Sequence, residues 1–458
     1  MRPFEITLSV LTVLSGLSAY PIKARSPILI LLCAVNLVVL IVHIFVEGPH
    51  WQMAPIYLAA LLYPALFLFP SPHLRPILAG AMLLLAVASI TASTILPMFT
   101  LPAPTGPDPI GTQTIHVVNN HPRAAASADL SGKRELMIQL WYPAAPSSNP
   151  RAPYRIFAET TLTSSYQAVL WTHARFNPPV ANSAAQYPVL LLNPAWNGRR
   201  TYYTWLVEDL ASRGYIVAAI DHTGNSGPTA FPDGHVSQPD PDPLLDFSTQ
   251  TFPQLAAYGA SQLEVHVDDT RFVLDQLEKW NQDPASPFYR RLDLSRIGAL
   301  GHSFGGAVSA QAALEDSRIL SALDMDGSLW GQVQQTGLQK PFLFIEEDLA
   351  HYTPAQLQQD RVAQIDNALD LGDLAMLQHS NATRILLHGS THSSFTDRSL
   401  FSPFSFYSGA GSIPPLRKYA ILRSYVSAFF DQTLRQIPTQ LLDQSPYPEV
   451  SIDKFPGH

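Results

Sequence analysis

A six-residue run, Gly-His-Ser-Phe-Gly-Gly at positions 301–306, constrains the fold of this chain more than any other feature. An apolar segment, 296–300, precedes the run, and a helix-forming stretch, 307–314, follows it. This order predicts a strand, a sharp turn with Ser303 at its apex, and a helix. A side chain at either flanking glycine would collide with the neighbouring strand or helix while the turn holds the serine in a strained, outward-pointing conformation. We interpret the following residues as a nucleophile elbow: Gly301, His302, Ser303, Gly305 and Gly306.

Short apolar runs alternate with segments of helical periodicity from about residue 110 onward. The predicted strands are 112–118, 135–142, 188–193, 214–221, 296–301, 319–325, 341–346 and 383–388. The predicted helices are 201–213, 262–281, 304–315, 355–377 and 416–435. Strands that alternate with helices predict an α/β fold, with a mostly parallel sheet covered by helices on both faces.

Charge and cysteine content exclude several classes of function. The first 100 residues carry a net charge of +2 and the whole chain −8, so the remainder carries −10. An acidic globular part argues against a nucleic-acid partner, which needs a basic face. Cys33 is the only cysteine, so no disulfide can form within the chain and the common zinc-site signatures are missing. We therefore expect no metal and no cofactor.

The first hundred residues contain four apolar stretches, at about 4–20, 27–46, 51–69 and 76–99. Each has about the ~20 residues that a helix needs to cross a hydrocarbon layer of ~30 Å. The first stretch lacks the cleavage motif and polar mature start of a signal peptide. The sequence therefore predicts a four-helix transmembrane segment; the alternative is two or three spans with a re-entrant or core helix.

Basic residues flank these stretches unevenly. Lys23 and Arg25 lie between the first two stretches, and Arg75 lies between the last two. The positive-inside rule places both of these loops in the cytoplasm and everything after residue 100 on the extracytoplasmic side of the membrane. We expect no charged residue in the membrane interior, and therefore an anchor and not a transporter.

These patterns predict four parts of the chain. They are a transmembrane anchor at 1–100, a proline-rich linker at 101–111, a catalytic domain at 112–440 and a C-terminal tail at 441–458. Within the catalytic domain, residues 223–258 are rich in proline, glycine and aspartate and lack periodicity. Such a segment is typical of a lid that passes over the top of a sheet.

A serine nucleophile needs a general base, and the base needs an acid that orients it. His392 follows the last predicted strand in a loop that can reach over the sheet edge, so we expect it to be the base. His388 falls within that strand, where a buried structural role is expected. The acid is left open by the local sequence. Its candidates end two successive strands: Asp324, Asp326 and Asp348.

The oxyanion hole needs two backbone N–H groups. Phe304 supplies the first by position, since it follows the nucleophile and starts the helix. The second should come from the loop after strand 188–193, where Trp196 is the expected donor. Pro194 has no N–H and cannot serve.

Several segments together resemble the plasma-type platelet-activating factor acetylhydrolase family and its bacterial relatives. They are 104–112, 134–143, 187–190, 209–222, the elbow with 315–318 behind it, and 389–397. The resemblance implies an α/β-hydrolase fold, a Ser-Asp-His triad, calcium independence, and action on phospholipids with short or oxidised sn-2 acyl chains. It also implies that the acid is Asp326. The chain departs from the family at Pro194 and Ala195, where His-Gly is usual, and in its N-terminal anchor.

We therefore expect a membrane-anchored serine carboxylic-ester hydrolase with the triad Ser303, Asp326 and His392. Its expected partners are an ester or phospholipid-like substrate and the lipid bilayer, with no nucleic acid. A small-ester or dienelactone-type hydrolase is the alternative within the same class. A membrane-bound sensor or scaffold that keeps the fold without catalysis is the alternative outside it.

Overall fold

The computed structural model describes residues 1–19, 26–65, 71–121, 133–239 and 250–457. The chain divides into two compact units. The first, here named the helical unit, comprises Met1–Thr100, Pro153–Trp171 and Ser399–Ser408. The second, here named the sheet unit, comprises Leu101–Ala152, Thr172–Arg398 and Gly409–His458.

Among the residues that the structure describes, four apolar helices make up most of the helical unit. Their bounds are α1 Pro3–Ser18, α2 Pro27–Val46, α3 Ala54–Leu62 and α4 Leu74–Ile95. Of the helices that the structure describes, α2 and α4 are long and apolar enough to cross a membrane, with 20 and 22 residues and mean hydropathies of 3.0 and 2.0. The helices α1 and α3 are shorter, at 16 and 9 residues. The four predicted apolar stretches thus all contain helix, but two of the helices have spanning length. Lys23 and Arg25 lie outside the described residues.

A charged side chain does occur inside α1, contrary to the sequence prediction. Glu5 lies in the first turn of α1 and is fully buried. Its carboxylate accepts a hydrogen bond from the backbone N–H of Arg2 at 2.9 Å and contacts Nε2 of His50 at 3.1 Å. The guanidinium of Arg2 also pairs with Glu5. The carboxylate is therefore neutralised next to its own helix end.

One large sheet forms the centre of the sheet unit. Its order, for the strands described, is β13-β12-β11-β10-β9-β5-β6-β2-β1-β4-β3. The strand bounds are β1 Ile110–Asn119, β2 Arg134–Pro143, β3 Arg151–Pro153, β4 Trp171–Phe176, β5 Tyr187–Asn193, β6 Ile216–Asp221, β9 Leu292–His302, β10 Ile319–Met325, β11 Phe342–Glu346, β12 Asn381–Leu387 and β13 Val450–Pro456. A separate hairpin contains β7 Thr229–Ala230 and β8 Val236–Ser237. The six neighbouring strands from β6 to β12 are mutually parallel, and antiparallel strands flank them. The predicted α/β class with a mostly parallel sheet is confirmed.

Helices cover both faces of the sheet. Their bounds are α5 Thr204–Ser212, α6 Phe252–Gln282, α7 Phe304–Glu315, α8 Gln332–Thr336, α9 Pro354–Gln359, α10 Arg361–Leu377 and α11 Pro415–Arg435. Every residue of β5 is buried, as expected for a strand with helices on both sides. Successive β5 side chains point to opposite faces. Leu191 packs in the core that includes α6 and α7, whereas Leu190 lies beside Gly298 and the Phe430 ring of α11.

Several element boundaries differ from the sequence prediction. The predicted helix 355–377 is two helices, because Asp360 leaves the helical conformation and its side chain accepts hydrogen bonds from the N–H groups that begin α10. The helix α6 begins ten residues before its predicted start. The strands β3 and β4, together with the β7–β8 hairpin, were not predicted, and they are short or lie at the edge of the sheet.

The segments expected to be a linker and a tail both have defined partners. In the expected linker, 101–111, the N–H of Thr105 donates to Asp209 at 2.8 Å and the N–H of Gly106 donates to Ser212 at 2.9 Å. This segment therefore lies along α5. In the expected tail, 441–458, strand β13 pairs with β12 through seven residues. The regular part of the sheet unit therefore extends beyond residue 440.

Candidate active site

Ser303 lies at the junction of β9 and α7, on the turn that the sequence predicts. Its φ is +56°, in the left-handed region that costs energy for a residue with a side chain. The N–H of Ser303 donates to the carbonyl of Met325 at 2.9 Å, which fixes the turn to the end of β10. Its side chain lines a cavity of about 490 Å³.

The glycines around Ser303 allow backbone segments to approach closely. A Cβ at Gly305 would lie 2.0 Å from the carbonyl oxygen of Asn193, at the end of β5. A Cβ at Gly301 would lie 2.0 Å from the carbonyl oxygen of Gly305. The predicted collisions with the neighbouring strand and helix are therefore present at both positions.

Asp326 and His392 are joined by a hydrogen bond. Asp326 follows β10 directly and has a φ of +61°, and its N–H donates to the carbonyl of Ile345 at 2.7 Å. Nδ1 of His392 donates to Oδ2 of Asp326 at 2.6 Å, while Oδ1 accepts from the N–H of Glu347 at 2.7 Å. The carboxylate is buried and the imidazole is half exposed. This is the geometry of a base held in one tautomer with its second nitrogen free to meet a substrate.

Ser303 and His392 line the same cavity. In the described part of the chain, no hydrogen bond joins the Ser303 hydroxyl to the His392 ring. Hydrogen bonds between nucleophile and base are often long in unliganded hydrolases and shorten when substrate binds.

The other two candidate acids lie elsewhere. Asp324 is within β10 and fully buried, and none of the described residues donates a hydrogen bond of good geometry to its carboxylate oxygens. Burial, with the negative charges of Asp373 and Asp326, raises the pKa of Asp324 well above its ordinary value, which favours the protonated carboxyl. Asp348 pairs with His388 and not with His392.

A second Ser-His-Asp arrangement surrounds His388. Its Nδ1 lies 2.5 Å from Asp348 and its Nε2 lies 2.7 Å from the hydroxyl of Ser451. Ser451 is in the extended strand β13, not on a strained turn, and it does not line the cavity. The prediction of a buried His388 inside a strand is wrong, because β12 ends at Leu387 and the His388 side chain is 43% exposed. Its contacts tie β13 to the loop after β11.

The electrostatic surroundings favour the protonated form of His392. Burial opposes protonation, but the hydrogen bond and charge of Asp326, together with the charge of Glu347, raise the pKa of His392 above 6.5. Glu347 itself has its pKa raised to about 7 by burial and by the charge of Asp326. The base is thus coupled to a second carboxylate that the sequence analysis did not identify.

The loop after β5 presents one free amide. Three of its N–H groups are bonded: Ala195 to the Tyr203 hydroxyl at 2.9 Å, Asn197 to the Asn225 carbonyl at 2.8 Å and Gly198 to the Ala195 carbonyl at 2.7 Å. Among the residues described, no acceptor is bonded to the N–H of Trp196 or to that of Phe304. Both residues line the cavity, and their rings meet edge to face at 4.9 Å. The two predicted oxyanion donors therefore lie beside each other with unused amides.

The cavity combines aromatic side chains with carboxylates. The aromatic residues are Trp196, Tyr258, Phe304, Trp330 and Phe344. The carboxylates beyond Asp326 are Glu346, Glu347, Asp348, Asp366, Asp370 and Asp373. Burial raises the pKa of Glu346 to about 7 and that of Asp370 to about 6. Tyr258 lies in the predicted lid segment 223–258, of which residues 240–249 fall outside the described residues.

His302, Asp326 and His392 offer ligand atoms that lie within 4.8 Å of one another. Both ring nitrogens of His302 are already bonded, Nε2 to the carbonyl of His392 and Nδ1 to the hydroxyl of Tyr203. His392 uses Nδ1 on Asp326. Apart from Nε2 of His392, all the ring nitrogens and carboxylate oxygens of these three residues are used in hydrogen bonds, and this arrangement favours acid–base chemistry over metal ligation.

The sequence matches the family described as platelet-activating factor acetylhydrolase, isoform II, over residues 149–247 and 266–435. This is more than half of the chain. The matched residues include the elbow, the histidine, the three candidate acids and the loop after β5.

Curated relatives and a solved structure agree with this match. A probable 1-alkyl-2-acetylglycerophosphocholine esterase of Arthroderma benhamiae is 28% identical over 280 residues, which cover 57% of this chain and 65% of that protein. The platelet-activating factor acetylhydrolase of Gallus gallus is 23% identical over 269 residues, which cover 52% and 56%. The chain thus spans less than two thirds of the length of these relatives. A ferulic acid esterase from Streptomyces cinnamoneus is 32% identical with a TM-score of 0.62, and the match covers 78% of this chain and 100% of that one. The chain belongs to the platelet-activating factor acetylhydrolase, isoform II family.

Proposed function

We propose that the protein is a serine carboxylic-ester hydrolase whose triad is Ser303, Asp326 and His392. One observation carries the proposal: the hydrogen bond from His392 to buried Asp326 lies at the cavity that also contains the strained Ser303. Family membership supports the same chemistry.

In the first half of the reaction, Nε2 of His392 removes the proton from the Ser303 hydroxyl as its oxygen attacks the ester carbonyl. The amides of Trp196 and Phe304 donate to the oxygen that becomes negative. His392 then gives its proton to the departing alcohol, which leaves an acyl group on Ser303.

In the second half, His392 removes a proton from water, and the resulting hydroxide attacks the acyl carbonyl. The tetrahedral intermediate uses the same two amides, and His392 returns the proton to Ser303 as the acid product leaves. Asp326 keeps the proton of the neutral ring on Nδ1 and stabilises the imidazolium that forms in both halves.

The substrate class follows from the relatives. The fungal relative is named as an esterase of 1-alkyl-2-acetylglycerophosphocholine, and the chicken relative as a platelet-activating factor acetylhydrolase. We propose phospholipids with short or oxidised sn-2 acyl chains as substrates, hydrolysed without calcium. A cavity of about 490 Å³ suits a short acyl chain with part of the glycerol backbone.

We further propose that residues 1–100 anchor the enzyme in the membrane through four helices. The spanning length of α2 and α4 supports membrane insertion. The proposed parts are the anchor, the segment 101–111, the catalytic domain 112–440 and the C-terminal 441–458. The proposed location of the site is the extracytoplasmic side, where the enzyme meets lipid substrate in the bilayer that holds it.

The first test is hydrolysis of p-nitrophenyl esters, from acetyl to dodecanoyl, by the full-length protein in lipid nanodiscs. A Ser303→Ala variant serves as the matched control. We expect activity that falls with chain length and disappears in the variant, followed by release of acetate from an alkyl-acetyl-glycerophosphocholine. Equal rates for the two proteins on every ester would contradict the proposal.

A small-ester hydrolase is the second candidate, and the dienelactone-type enzymes are one form of it. The likeness to a ferulic acid esterase and the aromatic lining of the cavity favour it. A ratio of kcat/KM for ethyl ferulate over the acetylated phospholipid that exceeds ten would select this candidate.

A sensor or scaffold without catalysis is the alternative outside the enzyme class. It predicts that a fluorophosphonate probe does not label Ser303. Labelling of the wild type, with none in Ser303→Ala, would exclude it even where no ester substrate has been found.

A further inference from the structure

A chain of hydrogen bonds connects the loop after β5 to the backbone of His392. The N–H of Ala195 lies 2.9 Å from the hydroxyl oxygen of Tyr203, and that oxygen lies 3.1 Å from Nδ1 of His302. Nε2 of His302 lies 2.9 Å from the carbonyl oxygen of His392. Tyr203 is fully buried and His302 is 3% exposed, so water does not substitute for these contacts.

The protons of this chain have one consistent arrangement. A carbonyl oxygen only accepts, so Nε2 of His302 carries the proton and donates to His392. In the neutral ring Nδ1 is then an acceptor, and the Tyr203 hydroxyl donates to it. The hydroxyl oxygen in turn accepts from Ala195. Every donor has an acceptor, provided that His302 is neutral. Burial, with the charge of His392, lowers the pKa of His302 well below 6.5 and keeps it so.

This chain of hydrogen bonds connects to three parts of the proposed catalytic machinery. Ala195 precedes Trp196, the residue of its loop with a free amide. His302 precedes Ser303 on the elbow. At the other end, His392 is held at its carbonyl by His302 and at its ring by Asp326. The oxyanion loop, the nucleophile and the base are therefore connected through two buried side chains.

We propose that Tyr203 and His302 are positioning residues that set the oxyanion loop and the base relative to Ser303. The inference rests on the proposed function, because it assigns these residues a role in the same ester hydrolysis. Neither side chain touches the substrate. Each acts through a residue that does.

The Tyr203→Phe variant tests the proposal. It keeps the ring and its packing, but it leaves the Ala195 N–H and Nδ1 of His302 without partners. We expect kcat to fall about 10- to 100-fold with KM within about twofold of the wild-type value. A displaced Trp196 amide stabilises the oxyanion of the transition state less, whereas binding of the neutral ester depends on this amide only weakly. The affinity for a trifluoromethyl ketone analogue of the transition state should fall by the same factor as kcat/KM. Tyr202→Phe, the same change one residue earlier, should leave all three values within twofold.

Hydrogen exchange gives a readout that does not need activity. In the full-length protein, the peptide that contains the Ala195 amide should exchange faster in Tyr203→Phe than in the wild type or in Tyr202→Phe. Unchanged exchange, or a kcat/KM within twofold of wild type, would overturn the proposal. A loss of kcat that is fully explained by a smaller fraction of active enzyme, measured by active-site titration, would also overturn the proposal. It would show that Tyr203 has a purely structural role. If wild type and Ser303→Ala hydrolyse esters equally, the proposed function fails, and exchange still reports on the hydrogen-bonded chain.

Discussion

Asp326 uses both of its carboxylate oxygens at the candidate site. One accepts from the His392 ring and the other from the N–H of Glu347. An amide at this position can keep one of these contacts only by presenting its NH₂ group to the other donor. We expect Asp326→Asn to lower kcat about 10³- to 10⁴-fold on a p-nitrophenyl ester, because the ring then favours the wrong tautomer.

The control for this change is Asp348→Asn, which alters the carboxylate that pairs with His388. We expect its kcat to stay within about threefold of wild type. The reverse order of effects would assign the catalytic acid to Asp348 and contradict the triad proposed above.

The pH dependence of activity is also set by single residues. His392 must be neutral to act as a base, and its pKa is raised, so kcat/KM should fall as pH drops through a value above 6.5. In Glu347→Gln a negative charge that favours the imidazolium is removed. The acidic limb of the kcat/KM profile should therefore shift to lower pH, measured on a neutral soluble ester.

A distant, half-buried carboxylate provides the comparison. Glu278 forms an ion pair with Arg318 on the surface, and Glu278→Gln should leave the acidic limb in place. An unmoved limb in Glu347→Gln would mean that Glu347 does not influence the base.

Single residues differ in how far the sequence predicts them. Ser303 and its glycines form one local motif, so the elbow could be predicted without a structure. The acid could not be chosen from local sequence, because Asp324, Asp326 and Asp348 all end strands at one sheet edge. The structure separates them by burial and by partner. Tyr203 carried no signal at all, since its partner His302 lies 99 positions further along the chain.

At the scale of elements, the start of α7 is packed directly against the end of β5. A Cβ at Gly305 would lie 2.0 Å from a carbonyl oxygen of Asn193, and backbone atoms cannot move aside as a side chain can. We expect Gly305→Ala to abolish fluorophosphonate labelling of Ser303 and to lower the melting temperature of the sheet unit, measured by a thermal shift in nanodiscs.

Gly372→Ala is the matched control, because it also adds a methyl group inside a helix. The nearest atom there is the amide nitrogen of the Gln334 side chain, at 3.0 Å, which can rotate away. Its labelling and melting temperature should stay close to those of wild type. Normal labelling in Gly305→Ala would show that the elbow tolerates a wider spacing from β5.

The parallel core strands were predictable because each contains a short run of mostly apolar residues. Edge elements were harder to predict. β13 reads Val-Ser-Ile-Asp-Lys-Phe-Pro and includes charged residues, as an edge strand often does, so its composition resembles that of a tail. The start of α6 was missed because a Pro-rich segment leads into it.

At the scale of the whole molecule, the proposed orientation of the protein in a membrane is open to direct measurement. Cys33 is the only cysteine, and it lies buried within α2, so added cysteines can be labelled selectively. In intact cells, Ala285→Cys in an exposed turn of the sheet unit should react with a membrane-impermeant maleimide. His73→Cys, in the exposed segment before α4, should react only after lysis.

Reaction of the two variants in the opposite order would reverse the proposed orientation. Reaction of both in intact cells would mean that the segment before α4 does not lie across the membrane from the sheet unit. The sequence alone could not decide this point, because three basic residues carry the whole charge bias.

The sequence did not predict which segments of the chain make up the helical unit. Apolar length predicted helices within residues 1–100, and they are present. The later segments Pro153–Trp171 and Ser399–Ser408 belong to the same unit, and no periodicity points to that. One visible link within the unit is the indole N–H of Trp51, which donates to the Thr163 carbonyl at 3.2 Å. Another is the stacking of the Phe99 ring on Phe401 at 5.3 Å.

This interleaving has a consequence for biosynthesis and for shedding. The chain passes between the two units at five points, after residues 100, 152, 171, 398 and 408. The ribosome must therefore make almost the entire polypeptide before the helical unit has all of its parts. The N-terminal helices are synthesised long before Ser399–Ser408, the last segment of their unit. A protease that cuts once near residue 106 would also fail to separate the helices from the rest of the protein, because Pro153–Trp171 and Ser399–Ser408 belong to the same unit as the helices.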